Sequence, residues 1–503
     1  MSHLKPLLEA NQIQWGKYML DIYIGQQGPQ PLGTVVFEEI EEKAREKLKQ
    51  WPGAFEYAYG SAGTSSTHHA NLAALRSLRI VPRMLVPTNI RSLSTTLFGV
   101  RYPSPIIIAP LGVQSIFGPD GELAPARAAG KLGVPFACST ASSRSLEAVA
   151  RANEQFAALN LEEPAKGAVW NLSLVADLQP SVPVPTEINS TGQALAPRFF
   201  QLYWPLHNEV TSSLLSRAKK AGYTVLVVTL DTMSLGWRPH DLERSYLPFG
   251  LGVGIEVGRT DPVFMKMHNR PAADPYDDKG GDGGKEGEFP YNPQEILARI
   301  QGKKGTEEQQ AKAREDAYLG RAWLEEANTG LYRSWEDLDF ILSEWEGPVV
   351  LKGIQSVADA ERAVDLLKGR GREGGIVVSN HGGRQVDGAL PSVVALERIL
   401  KSQKVQTARQ PGSDQPKFHV LFDSGIRTGS DILKAILLGA DGVLIGRPYL
   451  YASILAGQAG VEQFIKQLLA DLDVTMGLAG WDSLDGLRGK GLEDEDVLTR
   501  LRQ

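Results

Sequence analysis

Residues 349–379 read VVLKGIQSVADAERAVDLLKGRGREGGIVVS, and this stretch decides the fold class. Val349 to Lys352 and Gly375 to Ser379 are short β-branched runs, while Ser356 to Leu367 between them has the apolar spacing of an amphipathic helix. A strand, a helix and a second strand in so short a span form a crossover unit with parallel strands. The rhythm continues on both sides. Further strands are expected at Ile106 to Ala109, Val134 to Cys138, Arg198 to Tyr203, Thr224 to Leu230, His419 to Phe422 and Gly442 to Ile445. Helices are expected at Ala124 to Leu132, Leu214 to Ala221 and Ser430 to Leu438. Eight strand–helix pairs specify an α/β fold of the closed (β/α)8, or TIM barrel, type, with its functional loops gathered at one mouth.

Around this barrel, assigned to residues 101–503, the sequence places an N-terminal arm and helical segment at 1–100 and three insertions. The longest, Pro239 to Arg333 after the fourth strand, is too long for a plain connection and sits where barrel lids form. Its middle, Asp274 to Gly287, is rich in Asp, Gly and Lys and is expected to be mobile, whereas Glu295 to Glu326 has helical composition. Asn160 to Pro197 and Lys404 to Lys417 lack clear periodicity and read as surface decoration.

The 503 residues carry a net charge of -6, which offers no global basic surface for a polynucleotide. Cys138 is the single cysteine, so disulfides within the chain and cysteine-rich zinc sites are excluded, and a buried structural thiol is expected. No apolar run reaches the ~20 residues a membrane span requires. The N-terminus does not read as a secretory signal, and the last three residues are not the peroxisomal tripeptide. A cytoplasmic location is therefore the expectation. No dinucleotide fingerprint follows the first strand, and no metal cluster is evident. His68 and His69 are adjacent and cannot form an i, i+4 ligand pair, so they read as surface or packing residues.

The strongest local signal follows the sixth strand: Ser379-Asn380-His381-Gly382-Gly383-Arg384-Gln385. Alone, a histidine in a polar loop is more often structural. Here a compact glycine turn separates it from an arginine, so a base and a carboxylate clamp can serve one substrate. This heptapeptide resembles the signature of the FMN-dependent 2-hydroxy-acid dehydrogenases and oxidases, and the resemblance extends from about Gln14 to Leu487 with gaps at the insertions. It implies FMN as cofactor, a small (S)-2-hydroxy acid as substrate, His381 as catalytic base and Arg384 as carboxylate ligand, with Ser379 at the flavin.

The same resemblance implies roles for other residues. In Ala54-Phe55-Glu56-Tyr57, Tyr57 contacts the substrate carboxylate; in Phe199 to Tyr203, Gln201 meets the flavin ring and Tyr203 the substrate. In Thr229-Leu230-Asp231-Thr232, Thr229 touches the flavin and Asp231 orients His381, while Arg238 in Gly236-Trp237-Arg238-Pro239 is the second carboxylate arginine. Lys352 lies near the flavin N1 and C2 carbonyl edge, where a fixed cation favours negative charge. Ala109, Pro110, Leu111 and Ser139 line the flavin. Asp423, Ser424, Gly425 and Arg427 after the seventh strand, with Gly446 and Arg447 after the eighth, receive the ribityl chain and phosphate. Without the resemblance, Tyr203 fits simple packing, Asp231 fits a barrel-mouth cap or ion pair, and Lys352 fits a solvated strand end.

Trp15-Gly16 to Tyr23, the Gly236 to Pro239 loop, Asp261-Pro262-Val263-Phe264 and Phe422 to Gly429 resemble the lactate 2-monooxygenase branch. That branch implies oxidation of L-lactate by O2 with decarboxylation to acetate, carbon dioxide and water, in a homo-oligomer of four or eight chains. The alternatives are an oxidase releasing the 2-keto acid and H2O2 and, from another class, an inactive flavin-binding scaffold. A membrane-linked dehydrogenase fits less well, because the lid is hydrophilic. Ala141 and Ser142 stand where relatives often carry larger residues, which implies a wider pocket.

Overall fold

The computed structural model describes residues 15–159, 198–276, 292–410 and 416–501. The Asn160 to Pro197 insertion, and Asp274 to Gly287 beyond its first three residues, lie outside the described residues. Eight parallel strands close into a barrel: β1 Ile106–Ile108, β2 Phe136–Ser139, β3 Arg198–Tyr203, β4 Val225–Thr229, β5 Val349–Ile354, β6 Gly374–Val378, β7 Phe418–Phe422 and β8 Gly442–Ile445. They neighbour one another in chain order, and the ring closes where Val443, Leu444 and Ile445 pair with Ile106, Ile107 and Ile108. All eight expected strands are present, with ends shifted by at most two residues.

The strands read as unbroken apolar runs because both of their faces are buried. Alternate residues separate into two cores. Ile107, Ala137, Phe199, Val227, Val350, Val377, Leu421 and Leu444 fill the barrel interior, one from each strand. Their neighbours, such as Ile106, Phe200, Leu351, Ile376 and Val420, join the outer core beneath the helices. In β5 a register shift between Lys352 and Ile354, with Gly353 at φ 107°, resets this alternation and returns Ile354 to the outer core. The bottom of the barrel is closed by the hairpin Thr95–Leu97/Val100–Tyr102, whose turn packs Phe98 against Phe199 and His419. Asp441 sits at this end, bonded to Lys417 at 2.6 Å and Arg409 at 3.4 Å and accepting from the Val420 amide at 2.8 Å.

The described part of the lid is packed down. Asp261 caps the helix Pro262–Met267 and pairs with Arg217 at 3.2 Å. Helices Pro293–Ile300 and Glu307–Ala327 follow, and the second seats the buried Trp323, whose Nε1 donates to the Thr140 carbonyl above β2 at 3.3 Å. Gly320 permits this approach, since a Cβ there would lie 1.8 Å from the Phe249 carbonyl oxygen. The segment from Lys404 to Lys417 is not only surface decoration. It contributes most of a helix, Gln403–Arg409, which buries Val405 and Ala408. Two turns supply too few apolar positions for a visible period. Among the described residues no helix is long and apolar enough to cross a membrane.

Candidate active site

Two residues beyond each interior apolar position, the strand alternation points a second layer inward at the C-terminal mouth. The layer consists of Ala109, Ser139, Gln201, Thr229, Lys352, Ser379, Asp423 and Gly446. It is buried and largely polar, and its members satisfy one another. Ser139 Oγ donates to Gln201 Oε1 at 3.0 Å, and Gln201 Nε2 donates to Thr229 Oγ1 at 3.0 Å. Lys352 Nζ donates to Ser379 Oγ at 3.0 Å and lies 3.7 Å from Asp231 and 3.6 Å from Asp423. Burial alone would lower the pKa of Lys352, but Asp231 and then Asp423 raise it, so the ammonium is secured. Pro110 and Leu111 continue from β1 at the same mouth, and the Leu111 carbonyl accepts from Gln114.

His381 follows β6 in a left-handed conformation, φ 57°, which costs a non-glycine residue about 1–2 kcal/mol. Its amide donates to Ser379 Oγ at 3.0 Å, and Asn380 Oδ1 accepts from the Gly383 amide, which fixes the turn. His381 Nδ1 lies 2.9 Å from Asp231 Oδ1 and 3.1 Å from Thr232 Oγ1. These contacts occupy Nδ1 and leave Nε2 as the ring nitrogen that can meet a substrate. Burial lowers the His381 pKa below its ordinary value despite the opposing pull of Asp231, so the resting ring is neutral. For Asp231 burial acts upward, yet Lys352 and then His381 hold the carboxyl well below the usual carboxylate range.

Beside this pair stands a cationic cluster. Arg238 donates through Nε to the Arg384 carbonyl at 3.1 Å and bonds Tyr57. The Arg384 guanidinium lies over the Tyr57 ring at 5.4 Å and donates to the Gly60 carbonyl at 2.6 Å. Burial, then Arg238 and Arg447, push Arg384 down to about 9. Tyr203, raised to about 12 by burial, lies within electrostatic reach of Lys352, Asp231, Arg238 and Tyr57. At the β7–β8 side, Arg447 donates to the carbonyls of Ala58, Gly60 and Gly382, and burial pushes it down to about 10. The helix Pro52–Tyr59, which carries Tyr57, is thus gripped at its C-terminal end by Arg384 and Arg447. Arg427 donates to the Ile426 carbonyl and lies over Phe37 at 4.6 Å. None of these four arginines is ion-paired to a carboxylate of the described residues. Such a set of half-buried cations, with Arg238 buried among them, calls for anions from outside the chain.

Ser424 Oγ donates to Asp423 at 2.6 Å and accepts from the Gly382 amide at 3.0 Å, while Ser424 and Gly425 take φ 82° and 102°. The structure therefore gathers the base, carboxylate and flavin candidates named from the sequence at one mouth. It also shows contacts of residues to which the sequence assigns no part in the site. Gln385 touches Asp231, Gly236 and Arg238, and Asp387 accepts from the amides and hydroxyls of Thr64 and Ser66, tying the arm to the motif. Asn71 and Asn380 pair amide to amide. His68 packs against the Gly383 backbone, and burial, then Arg447 and Arg427, lower it to about 3. These contacts join residues 147 to 323 apart in sequence, so short motifs carry no sign of them. Cys138 is buried, its thiol pushed up to about 12 by desolvation. Among the described residues no His, Cys, Asp or Glu group could hold a metal.

Comparison with known proteins agrees with this geometry. The profile of the family described as FMN-dependent dehydrogenase matches residues 44–176 and 180–494. An FMN-dependent alpha-hydroxy acid dehydrogenase of Penicillium citrinum is 38% identical over 472 residues, 93% of each chain. An L-lactate oxidase of Lysinibacillus sphaericus is 31% identical over 92% of this chain and 93% of its own length. Among solved structures, mandelate oxidase with (S)-4-hydroxymandelic acid superposes with a TM-score of 0.62 at 30% identity, covering 91% of this chain and 98% of that one. The profile match runs through all eight barrel strands, and the chain belongs to the FMN-dependent dehydrogenase family, whose members use FMN to oxidise α-hydroxy acids.

Proposed function

We propose that this site oxidises small (S)-2-hydroxy acids with His381 as the base. The observation that carries the reading is a neutral, half-buried histidine paired to an ionised aspartate beside arginines that lack carboxylate partners. Arg238, Arg384 and Tyr57 take the substrate carboxylate, and two guanidinium forks fix its plane and so aim the α-carbon. Tyr203 meets the substrate from β3. His381 Nε2 accepts the proton that leaves the substrate, and Asp231 stabilises the imidazolium.

The residues present fit FMN. The buried polar layer from Ser139 to Ser379 suits a ring with a polar edge, Lys352 supplies a secured cation, and Arg427 and Arg447 suit a phosphate beside the backbone of Gly425 and Gly446. Ala109, Pro110 and Leu111 would line the ring, and Asp423 and Ser424 the ribityl chain. Bound FMN supplies the acceptor for the two electrons leaving the α-carbon.

The finer reading is that L-lactate and O2 become acetate, carbon dioxide and water. Its support is the anchoring of the lid by Asp261, Phe264 and Trp323, which favours retention of the keto acid under cover. The test is the yield of acetate, pyruvate and H2O2 per O2 consumed, across L-lactate, glycolate and (S)-mandelate. One acetate per O2 from L-lactate is expected. Stoichiometric keto acid and peroxide would replace this reading with a plain oxidase.

A further inference from the structure

Gln385 follows the second clamp arginine, and its side-chain amide is fully engaged. Nε2 donates to the Asp231 carbonyl at 2.8 Å and the Ser234 carbonyl at 2.9 Å. Oε1 accepts from Arg238 Nη2 at 2.7 Å and the Gly236 amide at 3.2 Å. Two donors and two lone pairs exhaust an amide's capacity. All four partners lie between Asp231 and Arg238, a stretch without regular secondary structure that carries both the aspartate of the base pair and one arginine of the clamp.

Other contacts hold the middle of this stretch: the Gly330 amide donates to the Met233 carbonyl at 2.8 Å, Asn328 donates to the Thr232 carbonyl at 3.0 Å, and Ser234 Oγ lies 3.0 Å from the Tyr332 hydroxyl. A cavity of about 290 Å³ opens against it, lined by Asp231, Ser234, Gly236, Gln385, Gln355 and Tyr332 among others. Beside that cavity the Gln385 amide spans from Asp231 to Arg238, the two ends of the stretch. The two backbones do meet at Gly236, where a Cβ would lie 2.5 Å from the Arg384 carbonyl oxygen. The contact sets the approach of the two loops, and Gln385 sets the spacing along them.

We propose that Gln385 is the positioning residue that holds the carboxylate clamp and the His381–Asp231 pair at one fixed separation, so that a single side chain governs both substrate binding and proton removal. The inference rests on the reading of Arg238 and His381 given above. Its two consequences are separable. Loss of the Arg238 bond frees the guanidinium and weakens carboxylate binding. Loss of the Asp231 bond loosens the aspartate at His381, whose other charged neighbours are Lys352 and Arg238. Asp231, at 2.9 Å, outweighs those two, so its displacement makes the imidazolium easier to deprotonate.

The test uses the holoenzyme and propanoate, a carboxylate with no hydroxyl to oxidise, titrated by the change it causes in the FMN visible spectrum. Gln385→Met keeps side-chain length without the amide. It should weaken propanoate at least about tenfold, the weight of one hydrogen bond to a charged group. The acid limb of kcat/KM should move to lower pH. If either readout stays where it is in the unsubstituted enzyme, the coupling is refuted. Should Gln385→Met fail to retain FMN, Gln385→Leu, which also removes the amide and adds no charge, decides by the same two readouts. Arg238→Lys serves as the control. If that variant binds propanoate normally, the clamp reading fails; if it binds weakly while the Gln385 variants do not, this inference fails.

Discussion

Asp231→Asn removes one charge 2.9 Å from His381 Nδ1 while preserving the shape of the side chain. The carboxyl is ionised across the working range, because Lys352 and His381 overcome the upward push of burial. Two unit charges about 4 Å apart at an effective dielectric of ~20 attract by about 4 kcal/mol. The asparagine oxygen can still accept from Nδ1–H and recovers part of this, leaving a loss of about 3 kcal/mol, roughly a hundredfold in rate. Lys352 keeps Asp423 at 3.6 Å, so FMN should remain bound. The assay is the rate at which flavin absorbance falls after anaerobic mixing with the best acid of a 2-hydroxy-acid panel. A rate within about threefold of the unsubstituted enzyme, less than 1 kcal/mol, would refute the role of Asp231.

Two further outcomes follow from the buried charges. kcat/KM should fall on the acid side: burial lowers His381 from its ordinary 6.5, so the base is free at lower pH and the acid limb lies below that value. The clamp guanidiniums keep their charge across the working range, so they add no limb of their own. An acid limb above 6.5 would contradict the placement of His381. Asp441→Asn should cost about 3–5 kcal/mol of stability in denaturant melts, because Arg409, Lys417 and Arg488 lose their shared buried partner. The folded Asp441 pKa is depressed, so its stabilisation is present above the unfolded carboxylate value and fades as pH falls through the folded one. At neutral pH the full difference should appear, and an unchanged midpoint there would show that the cluster is not stabilising.

The barrel was legible because its signal is dense. Both faces of each strand are buried, so Val225–Thr229 or Gly442–Ile445 stands out as an apolar run, and helices such as Val357–Lys368 begin at a capping serine. Strand ends slipped where the signal thins, as at Val134, which precedes Phe136–Ser139. The strands Leu78–Ile80 and Leu498–Arg500, which pair across almost the whole chain, were not foreseen, because three residues carry no period and their partners are remote. The helix at Gln403–Arg409 was missed for the related reason that it buries only one short edge.

At the site, motif resemblance named residues by position, and the structure shows which physical rule gathers them. Ser139, Gln201, Thr229, Lys352, Ser379 and Asp423 are each the next inward residue of their strand. That alternation is local and readable. The contacts of Gln385, Asp387 and His68 are not, since they depend on the helix Pro52–Tyr59, the helix Ser66–Ser77 and the loop after β4 converging on one turn.

The most direct measurement is anaerobic mixing of His381→Asn holoenzyme with the same 2-hydroxy-acid panel, beside the unsubstituted protein. With His381 as the base, the variant retains FMN and still binds propanoate, while flavin bleaching slows by about a hundredfold to ten-thousandfold. Bleaching at a near-normal rate by a variant that holds FMN would contradict the assignment of proton removal to His381.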